Sequence, residues 1–197
     1  NLSGRKLTDQ TGDGLSGDDT PLAGVTINLY QDFGTIGVLD GNDVLYASDV
    51  TDINGEYSFA NAPAGMYLVE EIVPVGYVPT SPTILAVTLA AHDNVTTGFD
   101  FANFELGSIT GLKFQDNNSD GSLNGSDAGL AGWTIELDQD ADGDVDATTV
   151  TGPGGTYSFT GLTAGVYRIR EEGQVGWIQT TDKPHAVTVD SRTKRGD

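Results

Sequence analysis

Apolar and polar residues alternate with a period of two along most of the chain, which predicts short β-strands. Val25, Ile27 and Leu29 fall on one face of an extended segment while Thr26 and Asn28 fall on the other. Trp133, Ile135 and Leu137 repeat this against Thr134 and Glu136. The same rhythm joins Tyr57 to Phe59, Tyr67 to Val69 and Val87 to Leu89, and later Tyr157 to Phe159, Tyr167 to Ile169 and Val187 to Val189. Phe99, Phe101 and Phe104 mark a closing strand. No helical periodicity competes with these segments. Short strands separated by turn residues predict an all-β chain of β-sandwiches.

The pattern occurs twice. Gly4, Asp9, Asp13-Gly14 and Leu22-Ala23-Gly24 align with Gly111, Asp116, Asp120-Gly121 and Leu130-Ala131-Gly132. Tyr57-Ser58-Phe59, Ala64-Gly65-Met66-Tyr67 and Val75-Gly76-Tyr77 are answered by Tyr157-Ser158-Phe159, Ala164-Gly165-Val166-Tyr167 and Val175-Gly176-Trp177. Two tandem sandwiches are expected, 1–106 and 107–197. Residues 104–111 join them without a flexible linker, so a semi-rigid, elongated pair is expected. With Val87 matched to Val187, the counterpart of Phe99 and Phe101 would lie beyond Asp197. The second repeat is therefore expected to lack its closing strand and to leave an edge for another segment to cover.

Composition narrows the chemistry. The net charge of the 197 residues is -20, and residues 7–112 contain no Lys or Arg, which excludes nucleic acid as a partner. Cysteine is absent, so disulfides and thiolate sites are excluded. No apolar run suits membrane insertion, no signal peptide is visible, and the chain reads as an excerpt of a longer secreted or surface protein.

The acids are spaced, not merely abundant. From Asp116 to Asp127, oxygen-bearing side chains stand at positions 1, 3, 5, 7, 9 and 12 of a twelve-residue loop with glycine at position 6, the rhythm of a calcium loop. Asp116, Asn118, Asp120, Ser122 and Asp127 are its expected ligands. A shortened copy near the N-terminus offers Asp9, Thr11, Asp13, Leu15 and Asp19, with Leu15 contributing its backbone carbonyl. The shorter loop is expected to bind more weakly. A third acidic run places Asp138, Asp140, Asp142 and Asp144 at positions 1, 3, 5 and 7, with Asp146 at position 9 and Thr149 at position 12. The corresponding region of the first repeat holds Asp32, Asp40, Asn42 and Asp43 in a looser arrangement. Calcium is the expected cofactor.

The ordered series of these motifs, through residues 51–59, Pro63-Ala64-Gly65-Met66-Tyr67 and Pro74-Val75-Gly76-Tyr77, resembles SdrD B-like repeats, relatives of the collagen-adhesin B-type (CnaB-like) domains of bacterial surface proteins. The resemblance implies prealbumin-like or inverse-immunoglobulin sandwiches loaded with calcium. It also implies a stalk segment presenting an adhesive domain, with neighbouring domains of the same polypeptide as partners. Many B-type sandwiches carry a Lys-Asn isopeptide bond assisted by an acid, and Glu71, Glu171 and Asn103 match places in that scheme. Alternation that puts Leu7 and Phe114 inward puts Lys6 and Lys113 outward, however, so the bond is expected to be absent.

An enzyme is not expected. His92 and His185 stand in different repeats, and the neighbouring acids Glu70-Glu71 and Glu171-Glu172 point to opposite strand faces. The alternative reading is a ligand-binding adhesin segment meeting a host receptor through Arg195-Gly196-Asp197 or through an aromatic platform of Tyr77, Trp133 and Trp177. A weaker alternative is an accessory region of an extracellular enzyme.

Overall fold

In the computed structural model, residues 1–90, 97–181 and 185–191 are described. The chain divides into two compact units, Asn1–Glu105 and Leu106–Asp197. The first contains β1 (Leu2–Asp9), β2 (Thr20–Pro21), β3 (Thr26–Gln31), β4 (Val44–Val50) and β5 (Glu56–Phe59). It continues with β6 (Gly65–Glu71), β7 (Tyr77–Pro79), β8 (Ile84–Leu89) and β9 (Phe101–Glu105). One sheet has the antiparallel order β4-β3-β6-β8, and the other the order β2-β1-β9-β7 with β5 beside β1. The β1–β9 pairing is parallel, setting Lys6 opposite Phe101 and Thr8 opposite Asn103.

The alternating residues bind the first unit together. Val25, Ile27, Leu29, Tyr57, Phe59, Tyr67, Val69, Val87 and Leu89 are buried, joined by Leu2 and Phe101. Each fully buried large apolar side chain contributes roughly 1.5–3 kcal/mol from its removal from water. Along β6 the same parity carries Tyr67, Val69 and Glu71 inward, and Glu71 stands opposite the core residue Ile27 on β3. Along β1, Leu2, Gly4 and Lys6 are buried while Arg5 is exposed. Two charged side chains thus enter the interior at apolar-face positions.

The second unit repeats the plan with β10 (Gly107–Leu112), β11 (Phe114–Gln115), β12 (Ala128–Gly129), β13 (Thr134–Asp138) and β14 (Ala147–Val150). A 3-10 turn at Pro153–Gly155 precedes β15 (Thr156–Leu162), β16 (Gly165–Glu171) and β17 (His185–Val189). The sheet β14-β13-β16-β17 matches β4-β3-β6-β8, while β10 pairs with β15 and β11 with β12. Among the described residues, no strand pairs in parallel with β10 or β11.

Candidate functional site

Lys6 corrects the sequence reading. Its side chain is fully buried and its Nζ lies 2.9 Å from Glu71 Oε2, itself fully buried. The expectation that Leu7 faces inward fails because Leu7 is only half-buried, opposite Pro21 of β2, and the inward parity runs through Leu2, Gly4 and Lys6. Anchoring the alternation on Leu7 puts Lys6 outward, whereas the lysine faces inward to meet Glu71. The third group is Asn103, which is fully buried and donates from Nδ2 to the same Glu71 oxygen over 3.2 Å. Asn103 Oδ1 and Glu71 Oε1 have no hydrogen-bond partner.

Local backbone geometry fixes this centre. The Lys6 N–H donates to Gly55 O over 2.7 Å and the Lys6 carbonyl accepts from the Leu22 N–H over 2.9 Å. Gly55 has φ of 72°, and a Cβ there would lie 2.3 Å from the Lys6 carbonyl oxygen, so only glycine fits. Burial lowers the Lys6 pKa more than Glu71 raises it. Burial likewise raises the Glu71 pKa despite hydrogen bonds from Lys6 and Asn103. Both shifts disfavour the charged forms of the two groups.

The second unit holds the first two of these groups. Lys113 Nζ lies 2.7 Å from Glu171 Oε2, with side chains 16% and 12% exposed. Lys113 therefore also departs from the outward placement, and its ammonium sits 4.5 Å from the centroid of the Trp133 ring.

Of the expected calcium loops, the first is the better assembled. Carboxylate oxygens of Asp9, Asp13 and Asp19 lie within 4.8 Å of one another. Asp9 is buried at the end of β1 and accepts from the N–H groups of Thr11, Gly12 and Gly14. Burial raises its pKa, but those bonds, led by Gly14, outweigh burial and hold the carboxyl below its ordinary value. Thr11 and Leu15 are exposed within the loop.

Asp116, Asp120 and Asp127 do not form such a three-carboxylate group. Their oxygens accept from the loop itself: Asp116 from the Asp120 and Gly121 amides, Asp127 from those of Asn117 and Asn124. Asp120 takes its bonds from the side-chain amides of Asn118 and Asn124 and from the Ser122 N–H. The regular rhythm of this loop thus fixes its turn without drawing its acids together.

The third run converges on Asp138, Asp140 and Asp146, whose oxygens lie within 4.8 Å of one another, while Asp142 and Asp144 stand outside that group. Asp138 is buried, accepts from the Gly143 N–H through Oδ2, and has an Oδ1 without a hydrogen-bond partner. An orphaned buried carboxylate oxygen facing two more acids fits a hard cation. Asp146, at position 9, therefore outranks the residues at positions 5 and 7. Asp32 of the first unit behaves alike: it is buried, caps the N–H of Gly37 five residues on, and leaves Oδ1 unpartnered. Asp43 accepts from the Phe33 N–H as Asp146 accepts from that of Gln139. Spacing matches these two regions as a looser arrangement, and the shared capping bonds of Asp32 and Asp43 add the detail that spacing alone does not carry.

Trp133 and Trp177 do not form a joint aromatic platform. Trp133 is buried and meets Trp177 edge to face at 5.3 Å between centroids, which presents no shared flat surface. Glu70 and Glu71 point to opposite faces, Glu70 taking a hydrogen bond from Asn28. His92 and the Arg195-Gly196-Asp197 tripeptide lie outside the described residues.

Comparison with known proteins matches residues 107–196 to the SdrD B-like domain and residues 14–103 to the Prealbumin-like fold domain. Serine-aspartate repeat-containing protein D of Staphylococcus aureus (strain Newman) is 29% identical over 175 residues, covering 83% of this chain and 12% of the relative. Serine-aspartate repeat-containing protein F of Staphylococcus epidermidis is 31% identical over 200 residues, covering 93% of this chain and 11% of the relative. A Streptococcal ancillary pilin aligns with TM-score 0.45 at 21% identity over 95% of this chain and 57% of its own. The shaft pilin SpaA from Lactobacillus rhamnosus GG aligns with TM-score 0.42 at 16% identity over 96% of this chain and 93% of its own.

Proposed function

Since the chain belongs to the SdrD B-like and prealbumin-like domains of cell-surface proteins, we propose that it is a structural stalk segment stiffened by an internal amide cross-link and by calcium. The observation that carries this reading is the buried centre of Lys6, Glu71 and Asn103, which draws its groups from three strands of the first unit. In the reaction we propose, the Lys6 amine attacks Cγ of Asn103, and Glu71 protonates the departing nitrogen. The Glu71 carboxylate then recovers a proton from the lysine nitrogen, an amide C–N bond replaces the carboxamide bond, and one ammonia leaves. All reacting groups belong to the chain, so the event happens once per molecule and yields a fastened fold rather than turnover.

Calcium would be held by Asp9, Asp13 and Asp19, with Thr11 and the Leu15 carbonyl completing that loop, and by Asp138, Asp140 and Asp146. The loop of Asp116, Asn118, Asp120, Ser122 and Asp127 closes on the ion only after its internal hydrogen bonds exchange for metal contacts. A bound cation would relieve the repulsion among these carboxylates and hold the loops that cap the sandwiches. Placement is extracellular, and neighbouring domains of the same polypeptide are the expected partners. Intact mass and calorimetric calcium titration of the full chain test the proposal. A mass one ammonia below that of the sequence, together with calcium binding, is expected; the full sequence mass with no calcium heat would overturn it.

A further inference from the structure

Two asparagines of the chain, Asn54 and Asn124, stand directly before a glycine. An asparagine carboxamide lies within reach of the next residue's backbone nitrogen, and glycine, lacking Cβ, obstructs that approach least. The fold treats the two sites oppositely. Gly55 is buried, its N–H donates to the Asp52 carbonyl over 2.9 Å, and its φ of 72° is held beside the Lys6 carbonyl. Its nitrogen is engaged and is not free to turn toward Asn54.

Asn124, Gly125 and Ser126 are exposed at the tip of a turn, which the Asp127 N–H closes on the Asn124 carbonyl at 3.0 Å. The Gly125 N–H has no hydrogen-bond partner among the described residues, and a Cβ on Gly125 would meet nothing within 4 Å. The Ser126 hydroxyl reaches Asn124 Oδ1 at 3.4 Å, the oxygen that gains charge when Cγ is attacked. On its other side the carboxamide is a clamp: Nδ2 donates to Asp120 Oδ2 over 2.8 Å and to the Ser122 carbonyl over 3.3 Å.

We propose that Asn124 is a site of spontaneous self-modification, which replaces this clamp by a further carboxylate. The Gly125 nitrogen gives its proton to hydroxide and attacks Asn124 Cγ. The Cγ–Nδ2 bond breaks, the departing nitrogen takes a proton from water and leaves as ammonia, and a cyclic imide joins the two residues. Water then opens the ring. Breaking the new C–N bond leaves aspartate at position 124, and breaking the original peptide bond leaves isoaspartate. Either product has lost both donor bonds and sets a negative charge beside Asp120, so the loop from Asp116 to Asp127 loosens. The event runs one way, needs neither enzyme nor metal, and is independent of the Lys6 centre.

The test incubates the full chain in mildly alkaline buffer with chelator and locates the modified residues by peptide mass spectrometry. Mapping is required because the cyclic imide, like a bond from Lys6 to Asn103, has lost one ammonia. Modification at Asn124 is expected to be at least about tenfold faster than at Asn54, where the Gly55 hydrogen bond must first open. In urea that unfolds the chain, the two rates converge. Gly125→Ala slows the Asn124 reaction on the order of tenfold through its Cβ, and Ser126→Ala slows it by about two- to tenfold. A broad-specificity protease cuts Asn124→Asp within residues 116–127 faster than the fresh chain. Equal native rates at the two sites, faster reaction at Asn54, no modification at Asn124 or a ratio that persists in urea would overturn the proposal. So would either loop variant reacting at the original rate, or Asn124→Asp being cut no faster than the fresh chain.

Discussion

Asn103 donates from Nδ2 to Glu71 Oε2 over 3.2 Å, and that same oxygen lies 2.9 Å from Lys6 Nζ. One carboxylate oxygen therefore touches both the amine and the carboxamide whose union would cross-link β1 to β9. Removing it separates the chemistry from the packing. Glu71→Ala is expected to keep the ammonia in the intact mass and to lower unfolding stability by at least about 1–3 kcal/mol, since it leaves the buried Lys6 amine without its partner. Glu71→Gln is expected to keep the ammonia too, with a smaller loss because its amide fills the same space. Mass spectrometry and urea titration of the two variants separate these outcomes.

Gly55 supports the same centre from the backbone. Gly55→Ala must both adopt a positive φ and displace the Lys6 carbonyl, which its Cβ would approach to 2.3 Å. A loss of well over the roughly 1 kcal/mol of strain alone is expected. Gly24→Ala shares the positive φ but meets no atom within 4 Å. It should cost only the strain, and thermal melts of the two variants check the difference.

Acid should weaken the Asp9 loop. Its folded pKa lies below the ordinary carboxylate value because loop N–H groups, led by Gly14, outweigh burial. The sign follows directly: the depressed pKa contributes stability above the unfolded value, and that contribution is lost as pH falls through the folded value. Urea midpoints measured in chelator should therefore drop below the usual carboxylate range, and Asp9→Asn should flatten that drop while lowering the plateau at neutral pH.

Calcium should act first where carboxylates already converge. At about 1 mM calcium, a site with Kd of ~10⁻⁴ to 10⁻³ M adds roughly 0.4–1.4 kcal/mol. Asp13→Ala and Asp138→Asn are each expected to remove one binding event from the titration. Asp120→Ala should remove only a weaker one, because the Asp116 loop must first break its own hydrogen bonds. Calorimetry across the three variants reads this ranking, and an equal loss from Asp120→Ala would reverse it.

Strand positions were legible because alternation reports a sheet face wherever the residues on it are apolar. Val25, Ile27 and Leu29, with Trp133, Ile135 and Leu137, are buried where the pattern puts them. Lys6 was misplaced because the parity was anchored on the apolar Leu7; Lys6 stands two residues after Gly4, as Glu71 stands two after Val69, and those intervals carried the signal. Two-residue pairings such as β2 and β12 are too short to show any period. The acidic loops were legible in part. Spacing located the acidic runs, Asp146 and Asp32 among them, but spatial convergence depends on how each loop folds back, which is why the grouping of Asp146 with Asp138 and Asp140 is seen only in three dimensions.

The parallel pairing of β1 with β9 has a mechanical consequence. The first unit's chain enters along β1 and leaves along β9, so tension pulls these neighbours lengthwise past each other. The ladder joining Lys6 through Asp9 to Phe101 through Phe104 is then loaded in shear, with its bonds strained together rather than peeled one at a time. A covalent tie from Lys6 to Asn103 would carry that force directly between entry and exit strands. The chain between them, including every acidic loop of the first unit, would remain unstretched while the tether bore the load.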